Sequence, residues 1–305
     1  MIRGNRGRLR SRDPSRFRLR SISMTVLRRE VKGVGRVPVE IHQTTNLDHP
    51  SLLVGWQTQD MGKLASTVIH FLNEKMGGQK IAELNPLGFY SFGGIRFKHD
   101  LVQVPTTDFW ACQKKNLLIL KSDEPEFEFY RFLTTVLEWA KSYFQTKDVT
   151  TLNGTFSLIA HTQPRRIFTV FNQEEFKEDL QGYDVEPLTW EGPPALSSYL
   201  LWVAKRRGLP GMSLWVEIPF YLAATEDPRA IKMALSFLNR RFGLALDLSE
   251  FDSRIRSQEE RIARLREANS EVNDSMRHLE NGLALNEEEQ LKLTKQVYDV
   301  LKEED

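Results

Sequence analysis

The residues that offer chemistry stand at the ends of apolar runs. Gln57 and Asp60 follow the run Ser51–Trp56, Asn153 follows Val149–Leu152, and Glu191 leads into Gly192-Pro193-Pro194. In open α/β sheets, ligands bind beyond the carboxyl ends of the strands. Trp56, Gln57, Asp60, Asn153, Glu191, Gly192 and Pro193 are therefore the candidate small-molecule site, and structural roles in turns account for them more simply. Their amides, carboxylates and indole would orient a ligand by hydrogen bonds. No two of them have the spacing of an acid–base pair or of a nucleophile with its base. His161, beside Arg165 and Arg166, is a lone candidate base or ligand, and a turn-stabilising or surface role accounts for it more simply. Glu124 and Glu126 flank Pro125 at an expected helix start, where carboxylates favour the macrodipole.

The familiar phosphate and nucleophile motifs are missing. Gly33-Val34-Gly35 lacks the third glycine of a dinucleotide fingerprint and the strand–helix context. Gly62-Lys63 lacks the Gly-rich lead and the Ser or Thr of a P-loop. No G-x-S-x-G elbow occurs. The six histidines are scattered, and the lone Cys112 excludes an intrachain disulfide and a cysteine-cluster zinc site. We expect no catalytic residue, no metal and no cofactor.

The elements that would position these residues follow from periodicity. Ser51–Trp56 is continuously apolar, as a strand buried on both faces is. Asp60 caps a helix from about Met61 to Lys75, with Met61, Leu64, Ala65, Val68 and Leu72 on one face. Lys80–Leu84 is a short strand, so the opening reads strand–helix–strand and suits a doubly wound layer. Residues 86–116 are rich in Gly, Pro and aromatics and predict short hairpin strands. Asn116–Leu120 is a second buried strand. A long helix then runs from Asp123-Glu124-Pro125 to about Phe144. Val149–Leu152 is a strand that ends in the loop Asn153-Gly154-Thr155. Gly192-Pro193-Pro194 introduces a helix through Leu196, Tyr199, Leu200 and Val203, which Gly208 and Pro210 stop. Met212–Ile218 alternates as a strand that Pro219 closes. Asp227-Pro228 starts a helix that ends at Gly243.

Five motifs in this order resemble the proteasome assembly chaperone 2 family. They are the buried strand with Gly55-Trp56 and its polar turn, Ser122-Asp123-Glu124-Pro125-Glu126, and His161-Thr162-Gln163-Pro164-Arg165. The Gly192-Pro193 turn with its helix follows, and then Gly208 and Pro210 before Ser213-Leu214-Trp215 with Pro219 and Tyr221. Family members often carry His where this chain has Phe220. The resemblance runs from about residue 39 to about residue 250. It implies a three-layer α/β/α fold with a mostly parallel or mixed sheet. It also implies a homo-oligomeric cytoplasmic protein that binds protein surfaces, those of proteasome-type subunits in the best-described relatives. Some relatives carry ATP-grasp or carboxylate–amine ligase labels, so an ATP-dependent ligase or a small-molecule-binding α/β protein is the alternative. A ligase would need a Gly-rich lid, an adenine-binding Lys pair and Mg²⁺ carboxylates, which the sequence does not place.

Flanking segments complete the chain. Residues 1–36 hold twelve Lys or Arg against Asp13 and Glu30. That balance of +10 leaves −9 for the rest of a chain whose net charge is +1. The arm has little apolar surface and reads as disordered. It is the only argument for nucleic acid, an unlikely partner, and no run is apolar enough to span a membrane. Residues 37–247 form the α/β domain, and residues 248–305 a helical tail. Steps of four and three link Phe251, Ile255, Gln258, Ile262, Leu265, Asn269, Val272, Met276, Leu279 and Leu283, a heptad seam that suits an inter- or intramolecular coiled coil or, alternatively, a long amphipathic helix lying along its own α/β body. The oligomer seam is Ile255, Ile262, Leu265, Asn269, Val272, Met276 and Leu279. A buried amide at Asn269 would fix register at a cost in stability, so Asn269→Leu should raise the melting temperature. Asn286 caps a last helix bearing Leu291, Val297 and Leu301. Val297-Tyr298-Asp299 matches the hydrophobic-Tyr-X ending of proteasome activators, but six residues follow it, so this copy should be inactive.

Overall fold

A computed structural model describes residues 39–91, 96–98, 101–178, 182–189 and 195–302. The expected basic arm, and Glu191, Gly192 and Pro193 of the candidate site, lie outside them. In chain order the elements begin with β1 (Val39–Ile41), β2 (Ser51–Trp56), α1 (Leu64–Met76) and β3 (Gln79–Leu84). β4 (Arg96–Lys98), β5 (Leu101–Gln103), β6 (Thr107–Cys112), β7 (Leu117–Ser122) and α2 (Phe129–Phe144) follow. Next are β8 (Asp148–Ser157), β9 (Ile167–Phe171), α3 (Glu174–Glu178), β10 (Glu186–Pro187), α4 (Leu196–Arg206), β11 (Gly211–Pro219) and α5 (Pro228–Phe242). The tail is α6 (Glu250–Ala268), α7 (Ser270–Glu280) and α8 (Glu287–Lys302).

Nine of these strands form one mixed sheet in the order β1-β3-β6-β7-β2-β8-β11-β9-β10, and β4 and β5 make a separate antiparallel hairpin. The centre, β7-β2-β8-β11, is parallel. Antiparallel strands flank it on both sides. The expected strand–helix–strand opening is present, but β3 does not pair with β2. It lies beyond β7 and β6 and pairs antiparallel with β6.

Both faces of the central strands are covered, which explains their unbroken apolar runs. Successive side chains of β2 point to opposite faces. Leu53 enters the core shared with α1, α5 and the tail, while Leu52 and Val54 enter the core under α2 and α4. Three layers result. Gly55 lets α1 approach closely, because a Cβ there would stand 2.2 Å from Ile69 Cδ1. Glu217 is the one charged residue of β11 and is sealed from water. Arg166 forks onto it, Nε to Oε2 at 3.1 Å and Nη2 to Oε1 at 2.9 Å. Burial opposes the charge of Glu217, yet bonds from Arg166 and Ser157 hold its carboxyl below the usual range.

Three sequence expectations change. The helix expected from Asp123 starts at Phe129, because the amides of Glu126 and Phe127 bond the Phe89 carbonyl at 2.8 and 3.1 Å and hold the acidic stretch as a loop. Asn153-Gly154-Thr155 is not a loop. β8 runs on to Ser157 because β11 pairs with it as far as Pro219. The seam-bearing helix is two helices. Asn269 is extended (φ −139°) between α6 and α7, and its side chain accepts bonds from the amides of Glu271 and Val272.

The tail packs on its own body. Ile262, Val272, Met276 and Leu279 are fully buried in the core that contains Leu53, Leu64 and Leu235. Ile255 and Leu265 are half-buried. Each full burial of such an aliphatic side chain is worth roughly 1.5–3 kcal/mol. α8 begins with a reciprocal cap, in which the Glu289 amide donates to Asn286 Oδ1 at 3.0 Å and the Asn286 amide to Glu289 Oε2 at 2.9 Å. Leu291 is exposed, and Leu293 and Val297 bury instead.

Candidate functional site

The carboxyl ends of the parallel strands hold three groups of polar residues. The first lies under α4. Thr151 and Ser213 face each other across β8 and β11, and Thr151 Oγ1 donates to Ser213 Oγ at 2.7 Å. Asn153 Nδ2 donates to Ser213 Oγ at 2.8 Å and to the Leu214 carbonyl at 3.1 Å. Its Oδ1 accepts from Ser197 Oγ at 2.6 Å, and Ser197 accepts from Trp56 Nε1 at 2.9 Å. Trp56 and Asn153, both expected at the site, thus join one relay. Ser197 and Ser213 complete it, and no spacing in the sequence links them. A fully bonded buried network of this kind fixes one packing of helix on sheet.

The second group surrounds Gln57. Its backbone amide donates to the Ser122 carbonyl at 2.8 Å. Thr58 Oγ1 accepts from the Glu124 amide at 3.1 Å, and Asp123 Oδ2 accepts from the Thr106 amide at 2.9 Å. Tyr90 OH donates to the Asp123 carbonyl at 2.9 Å, and burial pushes its pKa up to about 12. Burial also raises the Glu124 carboxyl.

The third group lies on the opposite face. Asp60 caps α1 from a distance, Oδ1 accepting from the Ala65 amide at 2.7 Å and Oδ2 from the Ser66 amide at 2.9 Å. A turn at Met61–Lys63 separates it from the helix, and Gly62 takes a left-handed φ of 63° there. Burial raises the Asp60 carboxyl against these bonds. The Gly62 amide donates to the Ala223 carbonyl at 2.8 Å, and the Asp227 amide to the Gly62 carbonyl at 3.0 Å. Asp227 Oδ1 accepts from the amides of Arg229 at 3.1 Å and Ala230 at 3.0 Å and so caps α5.

Arg165 reaches into this junction. Its Nε donates to Asp227 Oδ2 at 2.9 Å, and its Nη1 and Nη2 donate to the carbonyls of Gln163 at 2.7 Å and His161 at 3.3 Å. Beside it, Tyr221 OH accepts from the His161 amide at 2.6 Å and lies 3.1 Å from His161 Nδ1. Burial, then the Arg165 charge, lowers the His161 pKa to about 4. The imidazole is held neutral, and Nδ1 shares a hydrogen bond with the Tyr221 hydroxyl whose direction its tautomer sets. Burial raises the Tyr221 pKa strongly. His161, Arg165, Tyr221 and Asp227 were not placed at the site by sequence reasoning. Their signal was the order of the motifs His161–Arg165, Pro219–Tyr221 and Asp227-Pro228, whose meeting only the fold reveals.

These polar side chains bond one another and the backbone. Among the described residues, no three His, Cys, Asp or Glu approach closely enough to hold a metal. No described helix is long and apolar enough to cross a membrane. Aromatic rings face water elsewhere. On α2 and α4, Tyr130 and Trp202 are each 45% exposed with ring centroids 6.2 Å apart. Tyr199 lies 5.6 Å from Trp202. Arg206 stands over Trp202 at 4.8 Å and Arg207 over Tyr130 at 5.7 Å. Phe127 and Phe129, at the entry to α2, are also exposed.

The order of strands and the motif junctions can be set beside known proteins. The PAC2 family model matches residues 52–266. The chain belongs to the PAC2 family. A PAC2 family protein from Streptomyces avermitilis has a similar structure, with a TM-score of 0.60 and 21% identity over 68% of this chain and 92% of its own. A protein of unknown function from Corynebacterium glutamicum aligns at a TM-score of 0.68 and 18% identity, over 81% of this chain and 96% of its own. PbaB of Pyrococcus furiosus, an archaeal proteasome activator, aligns at 0.61 and 20% identity, over 75% and 98%. No curated protein sequence matches the chain. At these identities the likeness is one of fold. It extends the PAC2 α/β architecture, with its mixed sheet, to this chain.

Proposed function

We propose that this PAC2 family chain is a non-enzymatic protein-binding module, a homo-oligomeric cytoplasmic scaffold or assembly chaperone for proteasome-type subunits. The observation that carries this reading is the exposed aromatic cluster of Tyr130 and Trp202 flanked by Arg206 and Arg207. Tyr, Trp and Arg dominate the energetics of protein interfaces, because large rigid rings and guanidinium groups gain most from losing water. The polar residues at the strand ends are meanwhile committed to internal bonds, as caps and relays. Similar folds whose names speak of proteasome assembly or activation support the choice of partner.

The test is capture from native lysate of the source organism with the intact chain as bait. Proteasome-type subunits should be enriched by the wild type and lost with Trp202→Ala and Tyr130→Ala, at unchanged melting temperature. Light scattering should give a mass above that of one chain. ATP hydrolysis or amine ligation abolished by Asp60→Asn or Glu191→Gln would overturn the reading.

A further inference from the structure

The outer side of α4 carries two rings followed by two cations. Tyr199, Trp202, Lys205 and Arg206 recur at steps of three and four, so they share one stripe of the helix. Trp202, Lys205 and Arg206 are exposed, while Val203 and Ala204 between them are fully buried. From Leu196 to Arg207 the chain carries Lys205, Arg206 and Arg207 and no acid. The chain beyond residue 36 has a net charge of −9, so this end of α4 is a positive spot on an acidic body.

The three cations are not equivalent. Arg207 is committed to α2, its Nη2 lying 3.1 Å from Glu138 Oε1 and 3.0 Å from Thr134 Oγ1. Lys205 and Arg206 form no ion pair among the described residues. Arg206 lies over the Trp202 ring at 4.8 Å. Cations in a last turn favour the helix macrodipole, which accounts for Lys205 and Arg206 taken alone. It does not account for a tryptophan held in water beside them, with Tyr130 of α2 at 6.2 Å.

We propose that this stripe receives an acidic segment of a partner protein, an inference that rests on the protein-binding reading above and names the chemistry of the partner. An apolar side chain of the segment seats against Trp202 and Tyr130, and its carboxylates reach Arg206 and Lys205. Guanidinium groups bind carboxylates through paired N–H bonds. About one helical turn, roughly 5.4 Å, separates Trp202 from the two cations. An extended peptide advances about 3.3 Å per residue, so the carboxylates stand one or two residues from the apolar anchor. A nucleic-acid strand is charged at every nucleotide and needs a longer track of cations than two residues in one turn provide.

The experiment titrates the full chain into a short fluorescein-labelled peptide, in which one leucine is flanked on each side by glutamates, and reads anisotropy. A copy with glutamine in place of glutamate and an oligothymidylate of similar length are the comparisons. Saturable binding of the acidic peptide is expected, roughly tenfold tighter than that of the glutamine copy and weaker as salt rises. Lys205→Gln combined with Arg206→Gln should erase that preference, and Trp202→Ala should weaken both peptides, each at the parent melting temperature. No saturable binding of the acidic peptide overturns the proposal, as does a glutamine copy that binds equally well. Oligothymidylate bound more tightly, and released by the double variant, overturns it in favour of nucleic acid. Acidic-peptide binding unchanged in the double variant overturns it as well and places the peptide on the basic residues 1–36. Proteasome-type subunits captured through Trp202 but retained by the double variant would sink this inference and leave the protein-binding reading standing. Acidic-peptide binding at the stripe, with no proteasome-type subunit captured, would support the inference and overturn that choice of partner.

Discussion

Arg165 Nε and Asp227 Oδ2 meet at 2.9 Å with both side chains withdrawn from water. The pair joins the loop after β8 to the start of α5, and the free lone pairs of Asp227 cap that helix. A buried pair of this kind adds modestly to net stability but leaves a costly charge behind when one partner is removed. Asp227→Asn keeps a capping oxygen but removes the charge and turns an amide donor toward the Arg165 Nε–H, so that bond is lost as well. It should lower unfolding free energy by roughly 3–5 kcal/mol, read from urea midpoints. A loss under 1 kcal/mol would mean that water reaches Arg165.

His161 predicts a pH dependence. Its folded pKa of about 4 lies below the ordinary 6.5, chiefly through burial. The unfolded chain therefore binds a proton that the folded chain refuses between those values. The contribution is fully present above pH 6.5 and is lost as pH falls toward 4. At roughly 1.4 kcal/mol per pH unit, the loss approaches about 3 kcal/mol. His161→Asn should flatten this part of the stability curve. An unchanged slope in the variant would assign the acid sensitivity to carboxylates.

The sign expected for Asn269 reverses. A seam amide would cost stability, but Asn269 is the N-cap of α7. Asn269→Leu should lower stability by about 0.5–2 kcal/mol. Asn269→Asp or Asn269→Ser should be nearly neutral. A higher melting temperature for the leucine variant would return the residue to a seam role.

Removing the chain beyond Asp247 should do more than change the particle mass. The cut would strip Phe251, Ile262, Val272, Met276 and Leu279 from the core that α1 and α5 share. The remainder should melt far lower or aggregate, with the exposed face binding a hydrophobic dye. A truncated protein that melts at the parent temperature would show that the tail adds little to that core.

Much of the fold was legible because burial on two faces leaves a mark in single strands. Ser51–Trp56 and Asn116–Leu120 read as buried strands, and Asp227-Pro228 and Gly243 delimited α5. Where local signals competed with pairing, they lost. Asn153-Gly154 has the composition of a turn, yet β11 supplies partners that keep it extended. Asp123–Glu126 has the composition of a helix start, yet Phe89 draws its amides away. The four-three spacing through Asn269 is real, but Phe251, Ile262, Val272, Met276 and Leu279 turn toward the body of the same chain. At the candidate site, Trp56 ends β2 as the sequence implies, whereas Asn153 lies inside β8 rather than at its end. Their partners Ser197 and Ser213, and the meeting of His161 with Tyr221, depend on strand order. A sequence does not display that order when β8 and β11 are separated by β9 and α4.

Val297 and Leu53 share one core although one lies in α8 and the other in β2. During synthesis, β2 and α1 leave the ribosome long before the segment that covers them. The intermediate carries an unsealed apolar face beside α1 throughout that interval. Such distant pairing also slows folding, because a long loop must close before the contact is gained. Pulse-labelled exchange during refolding should find α1 and α8 protected in the same late step.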